Sequence, residues 1–100
     1  MNIVLSKHGR TFASRPRARE VFGEAFTSSH AASVTIDASD VYMSPSFIAE
    51  VLVMLVKERG LKRVVVRGAR EHPAQVAQHL AEKFGFADRV EVEQPALPTT

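Results

Sequence analysis

The sequence contains no cysteine among its 100 residues. Disulfides, thiolate metal sites and thiol nucleophiles are therefore excluded, and a reducing cytoplasm is the expected location. The first five residues form too short an apolar stretch for a signal peptide and lack a basic lead-in. The longest nearly apolar stretch, residues 47–56, contains Glu50 and is about half of a membrane span. We therefore expect a cytoplasmic protein with no membrane partner.

Motifs for catalysis and metal binding are also lacking. The four histidines never occur at the i, i+4 spacing with an intervening glutamate that a helical zinc site uses. The five glycines are dispersed and form neither a Gly-x-Ser-x-Gly elbow nor a phosphate-binding loop. Asp37 and Asp40 are carboxylates suited to Mg²⁺ at a strand end, although aspartate more commonly serves a turn. We predict no catalytic residue, no metal, no cofactor and no enzymatic activity.

Charge of one sign is scarce, since the net charge is only +2. The basic residues gather near the start of the chain, at Lys7, Arg10, Arg15, Arg17 and Arg19. They form no dense stripe, and aromatic residues that could stack on bases do not alternate with them. The pattern is typical of a solvated helix face, and we expect no specific binding of nucleic acid.

Length and composition indicate one folded domain. A chain of 100 residues is about one domain, and its 45% hydrophobic and 24% charged residues fall in the ordinary globular range. The segment 94–100 contains two prolines and no apolar periodicity, so it is predicted to fray. The predicted organisation is a domain over residues 1–93 followed by a C-terminal tail over 94–100.

Hydrophobic periodicity predicts the element order ββαβαβαβ. Alternation of strands and helices on short connections indicates right-handed crossovers and a mostly parallel or mixed sheet. The continuous apolar run Val64-Val65-Val66 is typical of a strand covered on both faces, so we predict a three-layer α/β domain whose sheet is covered by helices. The predicted strands are residues 2–5, 10–13, 33–37, 64–66 and 90–92. The first predicted helix begins after Ser14 and runs to Phe26, and the other two cover residues 45–59 and 73–84.

The start of the second predicted helix is the most informative stretch. Ser44-Pro45 is typical of an N-cap followed by proline at the first helical position. Ser46 then falls in the first turn, either as an ordinary residue or as a phosphate site favoured by free backbone N–H groups and the helix dipole. Phosphorylation there would add about −1.5 to −2 charges without melting the helix.

Two segments lie where sites form in open α/β sheets, beyond the carboxyl ends of strands. They are residues 37–47 and 67–72. The phospho-acceptor candidates are Ser46 and Ser44. The candidates for binding a partner or an anion are Asp37, Ser39, Asp40, Phe47, Glu50, Arg67 and Arg70.

The order of several short motifs carries a family resemblance. The motifs are Gly9, Ser14-Arg15, a strand ending at Asp37, the run Ser44-Pro45-Ser46-Phe47, and Glu50. In this order they resemble the bacterial STAS-like domain of unknown function, and the likeness extends over nearly residues 1–92. STAS domains form the anti-sigma-factor antagonists and the cytoplasmic tails of sulfate transporters.

The resemblance implies a regulatory role. In antagonist STAS domains, a serine at the start of the second helix is phosphorylated by a partner ATP-dependent kinase of the GHKL type, and the modification releases the antagonist. Matching the motifs places that serine on Ser46. The chain departs from the antagonist pattern at Ser44, which replaces an aspartate, and at Phe47, which replaces a glycine.

The leading prediction is a non-enzymatic, protein-binding regulatory module of partner-switching type. The first alternative is a small enzyme or a ligand- or phosphate-binding protein that uses Asp37, Asp40, Ser46, Arg67 and Arg70. The second alternative is a nucleic-acid accessory protein that uses the basic segment 7–19. The sequence leaves the oligomeric state open.

Overall fold

The computed structural model describes residues 1–25 and 32–93. Three predictions fall outside these ranges: the apolar helix position Phe26, the polar loop 27–31 and the tail 94–100. The described strands are β1 (Asn2–Val4), β2 (Thr11–Phe12), β3 (Ser33–Asp37), β4 (Tyr42–Met43), β5 (Arg63–Arg67) and β6 (Val90–Val92). The helices are α1 (Arg15–Ala25), α2 (Pro45–Leu52) and α3 (Glu71–Lys83).

The predicted α/β class is confirmed, with local differences at three elements. Strand β1 ends at Val4 because Leu5–Lys7 forms a 3₁₀ turn. The two-residue strand β4 is too short for its periodicity to be recognised. Helix α3 begins at Glu71, so Pro73 stands in its first turn, where backbone N–H groups have no intrahelical partner to lose. The predicted cap of α1 is present, since Ser14 Oγ accepts a hydrogen bond from the Arg17 N–H at 3.3 Å.

The main sheet has the strand order β1-β3-β5-β6, and every neighbouring pair is parallel. Each crossover therefore moves one strand further in the same direction. Because such crossovers are right-handed, they place their helices on one face of the sheet. Helix α1 accordingly packs against α2, and α2 packs against α3. Residues 1–25 and 32–93 therefore form two layers, with the helices on one face of the sheet, and not the predicted three.

The register shows which residues face the helices. Ile3, Ile36 and Val66 lie in one row across the sheet and are buried beneath the helices. The neighbouring positions point to the opposite face, which no described helix covers. We call this surface the bare face. Its residues on β3, β5 and β6 are Ser33, Thr35, Asp37, Arg63, Val65, Arg67 and Glu91.

Val65 explains why the sequence indicated a covered strand. It lies on the bare face and yet is only 7% exposed. Arg63 and Arg67 flank it along β5, and both reach towards β6 to form ion pairs. Arg63 Nη2 lies 2.9 Å from Glu91 Oε2, and Arg67 Nε lies 2.8 Å from Glu93 Oε2. Long charged side chains cover apolar surface with their methylene stems, so a third layer is not needed to bury Val65.

A second, two-stranded sheet fixes the start of α2. Strands β2 and β4 are parallel, with Thr11 opposite Tyr42 and Phe12 opposite Met43. The Ser44 N–H donates to the Phe12 carbonyl at 2.9 Å. The pairing places Phe12 in the core and sets the residue that caps α2.

The core lies between the helix layer and the inner face of the sheet. Phe12, Phe22 and Phe47 are all at most 1% exposed. The Phe47 ring centroid lies 5.1 Å from that of Phe12 and 6.2 Å from that of Phe22. Apolar residues of α2 and β5 that the pattern assigns to the interior join one cluster: Phe47, Val51, Leu52, Leu55, Val64 and Val66.

Helix α2 continues as a π-helix over Val53–Glu58. The Arg59 N–H donates to the Met54 carbonyl, five residues back, at 2.9 Å. Gly60, with φ +65°, then ends the helix. The predicted continuous helix over 45–59 is therefore present, with a wider final turn.

None of the helices in residues 1–25 and 32–93 has the length and apolar character that a membrane span requires.

Candidate functional site

The start of α2 is tightly specified by its own residues. Ser44 has extended backbone angles, and its Oγ accepts a hydrogen bond from the Phe47 N–H at 3.1 Å. The Ser44 carbonyl accepts from the Ile48 N–H at 3.0 Å. Pro45 occupies the first helical position, where its fixed φ suits the helix and its missing N–H costs nothing. The predicted cap and proline are both confirmed.

Ser46 and Phe47 point in different directions from this first turn. Ser46 is exposed, whereas Phe47 is fully buried against Phe12 and Phe22. The prediction that Phe47 binds a partner or an anion is therefore wrong, because its ring is part of the core. Its burial anchors the turn that carries the Ser46 hydroxyl.

The Glu50 carboxylate also forms ion pairs within the chain. Its side chain is only 13% exposed, with Arg15 Nη1 at 3.1 Å from Oε1 and Arg19 Nε at 2.9 Å from Oε2. Arg19 continues to Glu58, with Nη2 at 2.6 Å from Oε2. Glu50 therefore joins α2 to α1, and both of its carboxylate oxygens are paired within the fold.

The same ion pairs occupy arginine side chains of the basic N-terminal segment. The hydrogen bonds that Arg19 donates to Glu58 and Glu50 raise the pKa of Arg19, and the hydrogen bond from Arg19 lowers the pKa of Glu58. Arg17 pairs with Glu20 and also donates to the His8 carbonyl. Arg15, Arg17 and Arg19 of this segment are thus paired with carboxylates of the same chain. This pairing weakens the alternative that the segment binds nucleic acid.

The ends of β3 and β5 meet as predicted for an open sheet. Asp37 stands opposite Arg67 in the register, and the Ala38 N–H donates to the Arg67 carbonyl at 2.7 Å. The Ser39 N–H donates to Asp37 Oδ1 at 2.9 Å. Hydrogen bonds from the Ser39 side chain and backbone, and then the charge of Arg67, lower the pKa of Asp37.

The residue directly after β5 has to be a glycine, Gly68, and the sequence analysis did not single it out. Its φ is +72°, and a Cβ placed there would lie 2.1 Å from the Ser39 Oγ. Asp40 also adopts a positive φ, of 61°, which aspartate tolerates in turns. Ser39 and Asp40 therefore shape the turn between β3 and β4.

Of the five residues of the predicted enzyme site, Asp37 and Arg67 stand opposite each other at the ends of β3 and β5. Asp37 and Arg67 lie on the bare face, whereas Ser46 belongs to the helix layer on the other side of the sheet. Arg70 occupies the N-cap position of α3, is exposed and makes no side-chain cap. Within residues 1–25 and 32–93, no group of three or more metal-ligating side chains occurs.

A groove beside α2 was missed by the sequence analysis. It has a volume of about 450 Å³ and adjoins the residue before Ser46. We call it the α3 groove, and its lining residues are Pro45, His72, Gln75, Val76, His79, Leu80 and Lys83. The available signal was the spacing 72, 76, 79 and 83, which places four side chains on one stripe of a helix.

Comparison of the chain with protein-family models, with curated proteins and with solved structures gave no match.

Proposed function

We propose that this chain is a non-enzymatic regulatory module of STAS-like architecture that binds a protein partner and is controlled by the charge at Ser46. The observation that carries the proposal is the exposed Ser46 hydroxyl on a fixed first helical turn. Ser44 caps that turn, and Phe47 anchors it in the core. A modified Ser46 therefore changes the surface while the helix beneath it stays in place.

Electrostatics favour a charge at this position. A negative group in the first turn of a helix is stabilised by about 0.3–1 kcal/mol through the helix dipole. A phosphate would carry about −1.5 to −2 charges. If the partner's surface has no cation to pair with it, that charge would weaken the binding free energy by several kcal/mol. Folding and binding therefore respond to the modification in opposite directions.

Ser46 is a better acceptor than Ser44. The Ser44 Oγ accepts the capping hydrogen bond, and its side chain is half-buried. Phosphorylation of Ser44 would require breaking the cap that specifies the helix. The exposed Ser46 has no such role.

The proposed partner is an ATP-dependent kinase of the GHKL type. The support for this class is the order of motifs along the chain, which resembles STAS-like domains, together with the placement of Ser46 at the start of the second helix. The two departures from the antagonist pattern have structural roles, because Ser44 supplies the cap and Phe47 fills the core.

Affinity capture from lysate tests the proposal with the parent chain, Ser46→Ala and Ser46→Asp. We expect Ser46→Asp to keep its melting temperature and to lose captured partner, while Ser46→Ala retains it. Full release from 99% to 1% bound requires about 5.5 kcal/mol, so one mimetic charge should release part of the complex. Ser6→Asp, at an exposed serine in the 3₁₀ turn, is the matched control. Identical partner profiles for parent, Ser46→Ala and Ser46→Asp would contradict the proposal.

A further inference from the structure

The ion pairs between α1 and α2 alternate in sign along the seam where the two helices meet. We call this row the charge ladder, and its members in order are Glu58, Arg19, Glu50 and Arg15. Arg19 contacts two carboxylates, at 2.6 and 2.9 Å. Among the described residues, Arg15 contacts one, that of Glu50, at 3.1 Å, and its side chain is 58% exposed. The charge ladder therefore ends in a cation that lies partly in solvent.

Ser46 lies at the next step of the charge ladder. It stands four residues before Glu50 within the α-helix α2, and residues at that spacing are neighbours on one face, with their Cβ atoms about 5–6 Å apart. Arg15 Nη1 already contacts Glu50 Oε1. The Arg15 guanidinium is therefore about one helical turn from the exposed Ser46 hydroxyl.

We propose that Arg15 binds a phosphate carried by Ser46 and holds the modified group on the chain's own surface. The phosphate would supply the negative charge that follows Arg15 in the charge ladder. Arginine suits this role, because its planar fork of N–H donors matches two phosphate oxygens at once. The inference rests on the proposed function and names the residue that responds to the modification.

Glu50 makes a cation necessary beside this phosphate. Negative groups four residues apart on a helix repel each other, and the phosphate would carry about −1.5 to −2 charges. Arg15 lies on Glu50 Oε1 and can contact both anionic groups. Glu50 keeps Arg19 on its other oxygen, Oε2, at 2.9 Å. Sharing Arg15 with the phosphate therefore leaves the Glu50 carboxylate paired.

This contact would change the surface in two ways with one modification. The phosphate adds negative charge beside α2, and it also neutralises the partly exposed Arg15 cation. A partner surface that complements the unmodified chain would therefore lose the attraction of a cation and meet an added anion.

A cation on the other flank of α2 is the competing candidate. His72 lines the α3 groove together with Pro45, whereas Ser46 is not among the residues that line it. Consecutive residues of a helix point about 100° apart, so Ser46 and Pro45 face different neighbours. Ser46 shares its face of α2 with Glu50, whose carboxylate contacts α1. This geometry favours Arg15 over His72.

The test is a ³¹P NMR titration of the full chain with phosphoserine incorporated at position 46 during its synthesis, so that no kinase is needed. The measured quantity is the second pKa of the phosphate, ordinarily about 6. A neighbouring cation lowers this pKa, because it favours the doubly charged form. We expect Arg15→Gln to raise it by about 0.3–0.7, which corresponds to the loss of an exposed ion pair. An unchanged pKa in Arg15→Gln would overturn the proposal.

Two further variants show whether the effect belongs to Arg15. Arg17→Gln is the matched control, because Arg17 lies on the same helix, about 200° around it from Arg15, and pairs with Glu20. It should change the phosphate pKa by less than about 0.2. Equal rises in Arg15→Gln and Arg17→Gln would indicate a general effect of charge and overturn the contact. A larger rise in His72→Gln than in Arg15→Gln would assign the phosphate to the other flank of α2 and also overturn it.

The proposed function and this inference fail in different experiments. The phosphoserine is incorporated directly, so the ³¹P titration depends on neither a kinase nor a partner. Identical partner profiles in the capture experiment would contradict control at Ser46. A phosphate pKa that does not respond to Arg15→Gln would overturn the contact with Arg15, whatever the capture experiment shows.

Discussion

Two serines separated by one proline have different roles at the start of α2. The Ser44 hydroxyl accepts the Phe47 N–H and is half-buried, whereas the Ser46 hydroxyl is exposed. The difference arises from helix geometry, because the capping residue turns its side chain back onto the first N–H groups and the second helical residue points outwards. A single turn thus uses one serine as its cap and leaves the other exposed.

Replacement of Ser44 by alanine tests this division of roles. We expect Ser44→Ala to lower the free energy of unfolding by about 1 kcal/mol, because the Phe47 N–H loses its acceptor. Ser46→Ala should change it by no more than about 0.5 kcal/mol, as is usual for exposed positions. Urea unfolding followed by circular dichroism measures both values. Similar losses in the two variants would show that the cap is not the source of the difference.

At the scale of elements, α1 and α2 are joined by Arg19, which bridges Glu50 and Glu58. In a regular α-helix, residues eight apart are rotated by about 80°, whereas residues seven apart nearly align. Lys57 would then stand beside Arg19 and repel it. The π-helix over Val53–Glu58 accommodates one extra residue, so Glu58 takes the aligned place. The wide turn thereby exchanges a repulsive contact for an attractive one.

The bridge predicts a pH dependence of stability. Arg19 lowers the pKa of Glu58 in the folded state, so the carboxylate stabilises the fold above its unfolded pKa of about 4.3. This contribution is lost as the pH falls through the lower folded-state pKa. We expect the parent chain to be more stable than Glu58→Gln at pH 7 and the difference to shrink towards zero between about pH 4.3 and pH 2.

Urea titrations of both chains across that range measure the effect. Both groups are exposed, so 1 M NaCl should reduce the difference at pH 7 by screening the pair. A difference that stays constant from pH 7 to pH 2 would exclude the ion pair as its origin.

Deletion of Val53 tests the role of the π-helix. Removing one residue should let the segment close as a regular α-helix while Glu58 keeps its alignment with Glu50, now seven residues away. We expect a folded variant whose melting temperature lies within about 8 °C of the parent, corresponding to about 1 kcal/mol. Deletion of Gln78 from the regular helix α3 is the control and should be far more damaging, since no extra residue is present to absorb it. Equal damage by the two deletions would contradict this account of the wide turn.

At the scale of the whole molecule, the strand order determines the number of layers. Sequence periodicity located most of the described strands and the three described α-helices, because each carries a local apolar pattern and α2 also carries its own start signal at Ser44-Pro45. The number of layers is not a local property. It follows from the order β1-β3-β5-β6, which depends on pairing between distant segments.

Several site residues could not be assigned from the sequence for the same reason. The apolar pattern of α2 places Phe47 in the core, but its contact with the Phe12 ring depends on β2, which lies far from it in the sequence. Glu50 reads as a free carboxylate until α1 supplies Arg15 and Arg19. Long-range packing decides both cases. The exposure of Ser46 depended only on its place in the first turn and was predictable.

Single cysteines test the two-layer architecture, because the natural chain contains none. Val66 and Arg67 are neighbours on β5 and point to opposite faces of the sheet. Val66 is 5% exposed beneath the helices, whereas the Arg67 side chain is 60% exposed on the bare face. We expect Arg67→Cys to react with a maleimide in the folded chain within about tenfold of its rate in urea, since exposed sites need no opening. Val66→Cys should react only through local or global unfolding and be slower by orders of magnitude. A third layer, formed by the tail or by a second copy of the chain, would protect both cysteines, and protection by a second copy would fade on dilution. Strong protection of Arg67→Cys at every protein concentration would contradict the bare face and restore a covered sheet.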